Sequence, residues 1–205
     1  MKKIICFGDS NTYGHTPPTG ERMERPWPSV LQELRPDCKV INEGLCGRNT
    51  HLSASDMDPS NGLVRFNELL EESGGAELLI IMLGTNDTLK HFDCSVLETA
   101  EALRGYIRSW RDKFGQDSRI LLISPILITE DKKNNAAMND AYETDAIGKS
   151  RLFAAEYKAL AEREHTLYLN AAAVCRTSSL DGVHMLPAEH EKLAHAVYDV
   201  ILNKI

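Results

Sequence analysis

The sequence predicts a three-layer α/β sandwich, in which a five-stranded parallel sheet lies between two layers of helices. Five short apolar runs rich in β-branched residues have the length of buried strands, and segments with helical periodicity separate them. Strands that alternate with helices form parallel sheets covered on both faces. Right-handed crossovers between the strands then leave only a few topologies.

The predicted strands are the runs in which apolar residues follow one another without helical spacing. In chain order they are Lys3–Phe7, Lys39–Asn42, Leu78–Leu83, Arg119–Ser124 and Thr166–Leu169.

The predicted helices are the segments whose apolar residues recur every three or four positions. They are Pro28–Leu34, Gly62–Glu72, Ser95–Phe114, Ala141–Glu164 and Pro187–Asn203. Two starts are recognisable, because Ser95 and Glu98 fit a capping box and Pro187 suits a first helical position. The polar segment Thr129–Asp140 has the weakest pattern, which indicates a surface loop and a candidate rim or lid over a site.

Length, charge and hydropathy narrow the class of protein. A chain of 205 residues suits a single domain, which we place at residues 1–205. The net charge of −7 argues against non-specific binding of nucleic acid. The apolar run Ile4–Phe7 is shorter than the ~7–15 residues of a signal-peptide core, and no run approaches the ~20 residues of a membrane span. We expect a cytoplasmic protein with no nucleic-acid or membrane partner.

Cysteine and histidine positions bear on disulfides and metals. Five cysteines, an odd number with no CxxC pair, predict free thiols, and Cys46 is better explained by packing than as a nucleophile. Five histidines show no metal-ligand spacing with paired carboxylates, so we expect no metal and no cofactor. They are His51, His91, His165, His190 and His195, of which the last two are predicted to lie on the surface of the final helix.

Residues that carry chemistry follow the ends of the predicted strands. Gly8-Asp9-Ser10 follows the first strand, Asn42–Thr50 the second and Gly84–Asp87 the third. The pair Asp181 and His184 lies beyond the fifth strand. Ligands bind at the carboxyl ends of the strands in open α/β sheets. We therefore expect a hydroxyl, a glycine turn, a carboxamide and an Asp/His pair to meet at one sheet edge.

These are the residue types that ester cleavage needs, namely a nucleophile, a base and donors for a tetrahedral oxyanion. Ser10 can attack, His184 can take its proton, and Asp181, three residues earlier, can hold the imidazole in the correct tautomer. The backbone N–H groups of Ser10 and Gly47 and the side-chain amide of Asn86 can stabilise the oxyanion.

Each of these residues also has a structural explanation. Ser10 could cap a helix, Asn86 could close the third strand in an Asx turn, and Asp181-Gly182 is a turn signal. Their common position after strands favours the catalytic interpretation.

The same residues resemble the sequence blocks of the SGNH hydrolases, also called the GDSL esterase/lipase family. Gly8-Asp9-Ser10 is similar to the nucleophile block, and Asn42 through Gly47 to the block that holds the oxyanion glycine. Gly84–Asp87 resembles the block of the oxyanion asparagine, and Asp181–His184 the block of the acid and base. The resemblance implies a flavodoxin-like fold and a Ser10, Asp181 and His184 triad.

Longer strings, Ile5–Ser10, Glu43–Leu45 and Ile80–Thr88, resemble the bacterial arylesterase/acyltransferase branch. That resemblance implies hydrolysis of a short-chain acyl or aryl ester, a small-molecule partner, through an acyl-enzyme. It also implies a possible homo-oligomer, as some members of the branch form. Acyl transfer to alcohols is an alternative, although Tyr13 stands where an acyltransferase of this branch has tryptophan. Carbohydrate acetyl esterases share the blocks, so a sugar ester is a second alternative.

Two other functional hypotheses explain fewer of these residues. A non-catalytic sugar- or acyl-binding module could use the same fold, but it would need neither a triad nor oxyanion donors. A nucleotide-binding protein would need a glycine-rich phosphate loop, and the residues after the first strand match neither common form.

A second group of residues is predicted to contact the substrate: Thr12, Tyr13, Trp27, Pro125 and Ile126. For Trp27 the competing interpretation, a buried aromatic, is the favoured one. His15 follows the nucleophile closely and could touch the leaving group. Arg48 could bind an anionic substrate group or be a solvated surface charge.

Overall fold

The computed structural model describes residues 2–51, 58–92, 94–142, 144–202 and 204. Its centre is a parallel sheet of five strands in the order β2-β1-β3-β4-β5. The strands are β1 (Lys2–Gly8), β2 (Cys38–Gly44), β3 (Leu78–Met82), β4 (Ile120–Ser124) and β5 (Leu167–Asn170). The predicted α/β fold with a five-stranded parallel sheet is therefore confirmed, and each strand lies within two residues of its predicted bounds.

Helices cover both faces of this sheet. They are α1 (Ser10–Tyr13), α2 (Trp27–Leu34), α3 (Gly62–Glu72), α4 (Val96–Phe114), α5 (Ala136–Ala141), α6 (Thr144–Arg163), α7 (Ala171–Val174) and α8 (Pro187–Ile201). The short helices α1, α5 and α7 were not predicted, because four to six residues are too few to show helical periodicity.

The two cores follow from the alternation of side chains along the strands. In β1, Ile4 and Cys6 point to one face, while Ile5 and Phe7 point to the other. The first face packs against α2 and α8, and the second against α3, α4 and α6. Strands that are buried on both faces have uninterrupted apolar sequences. For this reason the strands could be predicted from the sequence.

The predicted helix starts at Ser95 and Pro187 are confirmed. Ser95 Oγ accepts from the Glu98 N–H at 3.2 Å, and a Glu98 carboxylate oxygen accepts from the Ser95 N–H at 2.8 Å. Pro187 is the first residue of α8. The predicted end of that helix, Asn203, lies outside the described residues.

The region between β4 and α6 corrects two predictions. Thr129–Asp140 is not an irregular loop, since it contains a 3-10 helix at Glu130–Asn134 and most of α5. The helix predicted from Ala141 begins only at Thr144, because Tyr142 has extended backbone with φ −111° and ψ 117°. The segment packs on the loop of Asp181, where the Thr129 N–H donates to the Gly182 carbonyl at 3.0 Å.

The strand register brings the first three post-strand loops together. Gly8 at the end of β1 pairs with Gly44 of β2 and with Met82 of β3. Gly44 lies directly against α1, so that a Cβ at this position would fall 2.1 Å from the Tyr13 backbone nitrogen. The small residue therefore lets the first turn after β1 pack on the end of β2.

Within the described part of the chain, we find no helix with the length and apolar character that crossing a membrane requires.

Candidate active site

Ser10 lies at the carboxyl edge of the sheet, as the first residue of α1. Asp9 is the N-cap, and its carboxylate accepts from the Asn11 N–H at 2.9 Å. The helix ends at Gly14, whose φ of 97° is the left-handed conformation that glycine adopts most readily. The Ser10 side chain therefore stands on a tight turn with fixed ends.

Ser10, His184 and Asp181 form a hydrogen-bonded series. His184 Nε2 lies 3.0 Å from Ser10 Oγ, and His184 Nδ1 lies 2.6 Å from Asp181 Oδ2. Asp181 Oδ1 accepts from the backbone N–H groups of Val183 and His184 at 3.1 and 3.0 Å. Both carboxylate oxygens are thus engaged, so the imidazole is held with Nε2 towards the serine.

The charge of Asp181 is stabilised by these bonds. Burial by itself would raise the pKa of Asp181, but the hydrogen bonds from the His184 ring, the His184 backbone and the Val183 backbone hold the pKa below its ordinary value. The carboxylate is therefore ionised where a histidine base operates, and it can stabilise an imidazolium that forms beside it.

Asn11 fixes the serine relative to the histidine. This buried residue donates from Nδ2 to the Val183 carbonyl at 3.3 Å and accepts at Oδ1 from the Met185 N–H at 3.0 Å. Its amide thus binds the backbone on both sides of His184. Asn11 carries no local sequence signal for this role, because its partners lie more than 170 residues away in the chain.

His15 stacks on His184, with ring centroids 4.0 Å apart and planes 33° apart. Burial, and then the neighbouring His184, lower the pKa of His15, which favours a neutral ring against the face of His184. Donor atoms of His15, Asp181 and His184 lie within 4.8 Å of one another, a spacing that a metal ion could span. However, Asp181 and His184 are already hydrogen-bonded to each other through His184 Nδ1 and Asp181 Oδ2.

Cys46 lies near this cluster but not in the hydrogen-bonded series. Cys46 is exposed, so the predicted packing role is wrong, and its Sγ is 3.9 Å from His15 Nδ1. Partial desolvation by its neighbours raises the pKa of its thiol. A raised pKa disfavours the thiolate, the nucleophilic form of cysteine. All five cysteines lie in the described ranges and are unpaired, as predicted.

Three donors predicted for an oxyanion hole lie on the three adjacent loops. Within the described ranges, neither the Ser10 N–H nor the Gly47 N–H has an acceptor. Asn86, the first residue of a 3-10 helix after β3, donates from Nδ2 to the Arg48 carbonyl at 3.0 Å. The Asn86 amide therefore lies beside the residue that follows Gly47.

Most of the predicted substrate contacts have little or no exposed surface. Thr12 and Trp27 are 0% exposed, Ile126 is 2% exposed and Pro125 is buried. Trp27 and Ile126 belong to the core between the sheet and α2 and α8, so the competing interpretation of Trp27 fits the structure. Only Tyr13 is half-buried, with the Arg22 guanidinium 4.6 Å above its ring. Substrate contact is therefore corrected for Thr12 and Trp27, which have no exposed surface, whereas contact by Tyr13, Pro125 and Ile126 stays a prediction.

Arg48 and His190 differ from their predictions. Arg48 is 3% exposed and donates to the Gly8 carbonyl at 3.0 Å and to the Glu43 carbonyl. It joins the ends of β1 and β2 and is neither a surface charge nor an anion-binding group. His190 is 0% exposed, and its Nδ1 accepts from the Trp27 N–H at 3.2 Å. Packing of α8 on α2 buries this ring, which helical spacing alone cannot show.

Asp87 ties the loop after β2 to the loop after β3. It is 1% exposed and accepts from the Thr50 N–H at 3.2 Å and from the Thr50 hydroxyl. Burial raises the pKa of Asp87 to about 6, although the bonds from Thr50 oppose the shift. The residues from Gly47 to Thr50 and the residues from Asn86 to Asp87 are thereby held together.

Asp87→Asn is expected to change how stability depends on pH. With a folded pKa of about 6 against an ordinary value of 3.8, the folded state retains a proton that the unfolded chain releases. The stabilisation by protonated Asp87 is complete below 3.8, the ordinary pKa, and is lost as the pH rises through about 6, the pKa in the folded state. The unfolding free energy of the wild type minus that of Asp87→Asn should fall by roughly 2 kcal/mol between about pH 4 and pH 7. Urea denaturation checks this, with the exposed Asp117→Asn as control, and parallel pH curves for wild type and Asp87→Asn would contradict it.

The doubly covered parallel sheet, with a serine and a histidine at its carboxyl edge, places the chain in a class of α/β enzymes. Residues 6–192 match the profile of the GDSL-like lipase/acylhydrolase family. The chain belongs to this family, the SGNH hydrolases, and it is an ester-hydrolysing enzyme.

Solved structures of esterases are similar over the full length. The native aryl esterase of M. smegmatis is 28% identical, covers 100% of both chains and superposes with a TM-score of 0.88. A carbohydrate acetylesterase family member from Sinorhizobium meliloti is 29% identical over 98% of this chain and 97% of that chain, with a TM-score of 0.85. A putative arylesterase from Agrobacterium tumefaciens str. C58 is 26% identical over 100% of both chains, with a TM-score of 0.81. No curated protein matches the chain.

Proposed function

We propose that the protein is a serine esterase that hydrolyses short-chain acyl or aryl esters through an acyl-enzyme on Ser10. The observation that carries the proposal is the series from Asp181 Oδ2 to His184 Nδ1 at 2.6 Å, and from His184 Nε2 to Ser10 Oγ at 3.0 Å. A structural serine and a surface histidine have no need of this alignment. The ionised Asp181 behind the ring completes the requirement for a histidine base.

In the first half-reaction, Ser10 Oγ bonds to the ester carbonyl carbon while its proton passes to His184 Nε2. The carbonyl oxygen becomes an oxyanion, which the N–H groups of Ser10 and Gly47 and the amide of Asn86 stabilise. When the bond to the leaving alcohol or phenol breaks, the proton on His184 passes to that oxygen. An acyl group then remains on Ser10.

In the second half-reaction, His184 takes a proton from water as the water oxygen attacks the acyl carbon. A second oxyanion forms and collapses, and the proton returns to Ser10 Oγ as the carboxylic acid leaves. Every proton transfer uses groups present in the chain, so the mechanism requires no cofactor. An alcohol in place of water would give acyl transfer, the alternative product of the same acyl-enzyme.

The descriptions of the solved relatives support aryl esters and acetyl esters as substrates. Two of them are described as an aryl esterase and a putative arylesterase, and one as a carbohydrate acetylesterase family member. We therefore place aryl and alkyl esters of short acids first and acetylated sugars second. In both cases the partner is a small molecule. If the protein hydrolyses no ester, the alternative hypothesis of a non-catalytic binding module would be supported.

The substrate class is tested with p-nitrophenyl esters of increasing chain length and with a peracetylated monosaccharide. The wild type is expected to hydrolyse p-nitrophenyl acetate or butyrate at least ~10-fold faster, in kcat/KM, than the octanoate. Ser10→Ala provides the background rate. A preference for the octanoate would contradict the short-chain assignment. Rates equal to that background on every ester would contradict the esterase and support the binding module.

A further inference from the structure

The side-chain amide of Asn86 is held at both of its ends. Its Nδ2 donates to the Arg48 carbonyl at 3.0 Å, and its Oδ1 lies 2.9 Å from the Tyr142 hydroxyl. A backbone carbonyl can only accept, so the NH₂ group must face Arg48 and the oxygen must face Tyr142. The tyrosine hydroxyl is consequently the donor in the second bond.

We propose that Tyr142 is a positioning residue of the oxyanion hole, whose hydroxyl fixes the Asn86 amide so that one N–H faces the developing oxyanion. The proposal rests on the esterase function proposed above. An Asn amide has two N–H groups, and the Arg48 carbonyl uses one of them. The other remains for the substrate only while the amide plane is held, and Tyr142 and Arg48 hold it from opposite ends.

Tyr142 is itself fixed in place. It is 3% exposed and belongs to a small apolar cluster with Ile128, Ala146, Ile147 and Val183. The residue before it is tied down as well, since the Lys90 N–H donates to the Ala141 carbonyl at 3.0 Å. A hydroxyl on such a rigid side chain can direct its partner, as pre-organised oxyanion donors require.

The hydroxyl also remains protonated. Burial, followed by the carboxylates of Asp9, Asp87 and Asp181, raises the pKa of Tyr142 above its ordinary value. Tyr142 therefore donates to Asn86 Oδ1 throughout the pH range in which a histidine base works. Donation to the amide oxygen polarises the amide and strengthens its N–H as a donor.

The same cluster reaches the loop of the base. Val183, which packs beside Tyr142, lies between Asp181 and His184 in the chain. Tyr142 directly follows α5. This tyrosine thus connects α5 with the two loops that carry Asn86 and His184.

The proposal is tested by a double-mutant cycle between Tyr142→Phe and Asn86→Ala. Tyr142→Phe removes one oxygen and retains the ring, and it is expected to lower kcat for p-nitrophenyl acetate about tenfold with KM changed less than about threefold. Asn86→Ala is expected to lower kcat about 10²–10³-fold, since it removes a donor outright. The double variant should be no slower than Asn86→Ala, because Tyr142 acts through the amide.

Tyr157→Phe is the matched control. Tyr157 is 0% exposed and its hydroxyl donates to the Leu83 carbonyl at 2.8 Å, so its loss also removes one buried hydrogen bond. We expect a similar fall in thermal stability for the two tyrosine variants, but a fall in kcat for Tyr142→Phe alone. A merely structural role would lower the stability and leave kcat unchanged.

Two outcomes overturn the inference. One is a Tyr142→Phe variant with wild-type kcat while Asn86→Ala is impaired. The other is additive losses in the double variant, which would show that Tyr142 acts independently of Asn86. Failure of the proposed function looks different, because the wild type would then hydrolyse no ester faster than Ser10→Ala, and Asn86→Ala would be equally unchanged.

Discussion

Replacing Ser10 with alanine is expected to lower kcat/KM for p-nitrophenyl acetate by on the order of 10⁴-fold or more. The side chain of Ser10 supplies the atom that bonds to the acyl carbon, and its Oγ lies 3.0 Å from the base that removes its proton. Alanine leaves the backbone N–H groups in place, so the residual rate measures oxyanion stabilisation and binding alone.

The control for this variant is Ser29→Ala. Ser29, like Ser10, lies in the first turn of a helix, here α2, but it is half-buried and lies on the side of the sheet where the Trp27 core lies. Its replacement is expected to leave kcat/KM within about twofold of the wild type. The measurement compares initial rates of wild type, Ser10→Ala and Ser29→Ala at matched concentrations of folded protein. Wild-type hydrolysis by Ser10→Ala would remove the serine mechanism.

His184→Ala is expected to cost roughly as much as Ser10→Ala, about 10⁴-fold or more in kcat/KM. Without the imidazole, Ser10 Oγ has no acceptor for its proton and the leaving oxygen has no donor. Because the two residues act as a unit, the double variant should be about as slow as either single variant. Additive losses would show that the two residues act in separate steps.

His195→Ala is the matched control for the histidine. His195 is exposed on α8, and its replacement is expected to leave the rate unchanged. His15 provides the competing assignment, since its ring lies 4.0 Å from that of His184. Activity that survives His184→Ala and disappears in His15→Ala would transfer the role of base to His15.

The fold was predictable because its strands are buried on both sides. Runs such as Leu78–Met82 contain only apolar residues, and that pattern does not depend on which neighbours the strand has. The capping box at Ser95 was equally local, since its partner is three residues away. Prediction was wrong where contacts between distant segments decide the structure. Helix α5 is only six residues long, and it packs on the loop of Asp181.

In the candidate site, too, residues with a local sequence motif could be predicted, and residues that depend on distant contacts could not. Ser10, Gly47 and Asn86 could be singled out because each follows a strand end in a recognisable short motif, and Asp181 and His184 because their spacing of three suits a triad. Burial depends on contacts between distant segments, so Thr12 was assigned to a surface that it does not reach, whereas a buried position was the favoured interpretation of the large aromatic Trp27. Tyr142 has no local signal at all, because its partner Asn86 is 56 residues away.

The central claim is that an acyl group resides on Ser10 during turnover, and covalent labelling with diethyl p-nitrophenyl phosphate tests it most directly. Trypsin separates Ser10, on the peptide of residues 4–22, from Cys46, on the peptide of residues 40–48. We predict one phosphoryl adduct per chain, located on Ser10, absent from Ser10→Ala and formed in parallel with the loss of esterase activity. An adduct on Cys46, or complete inactivation with Ser10 unmodified, would contradict the mechanism.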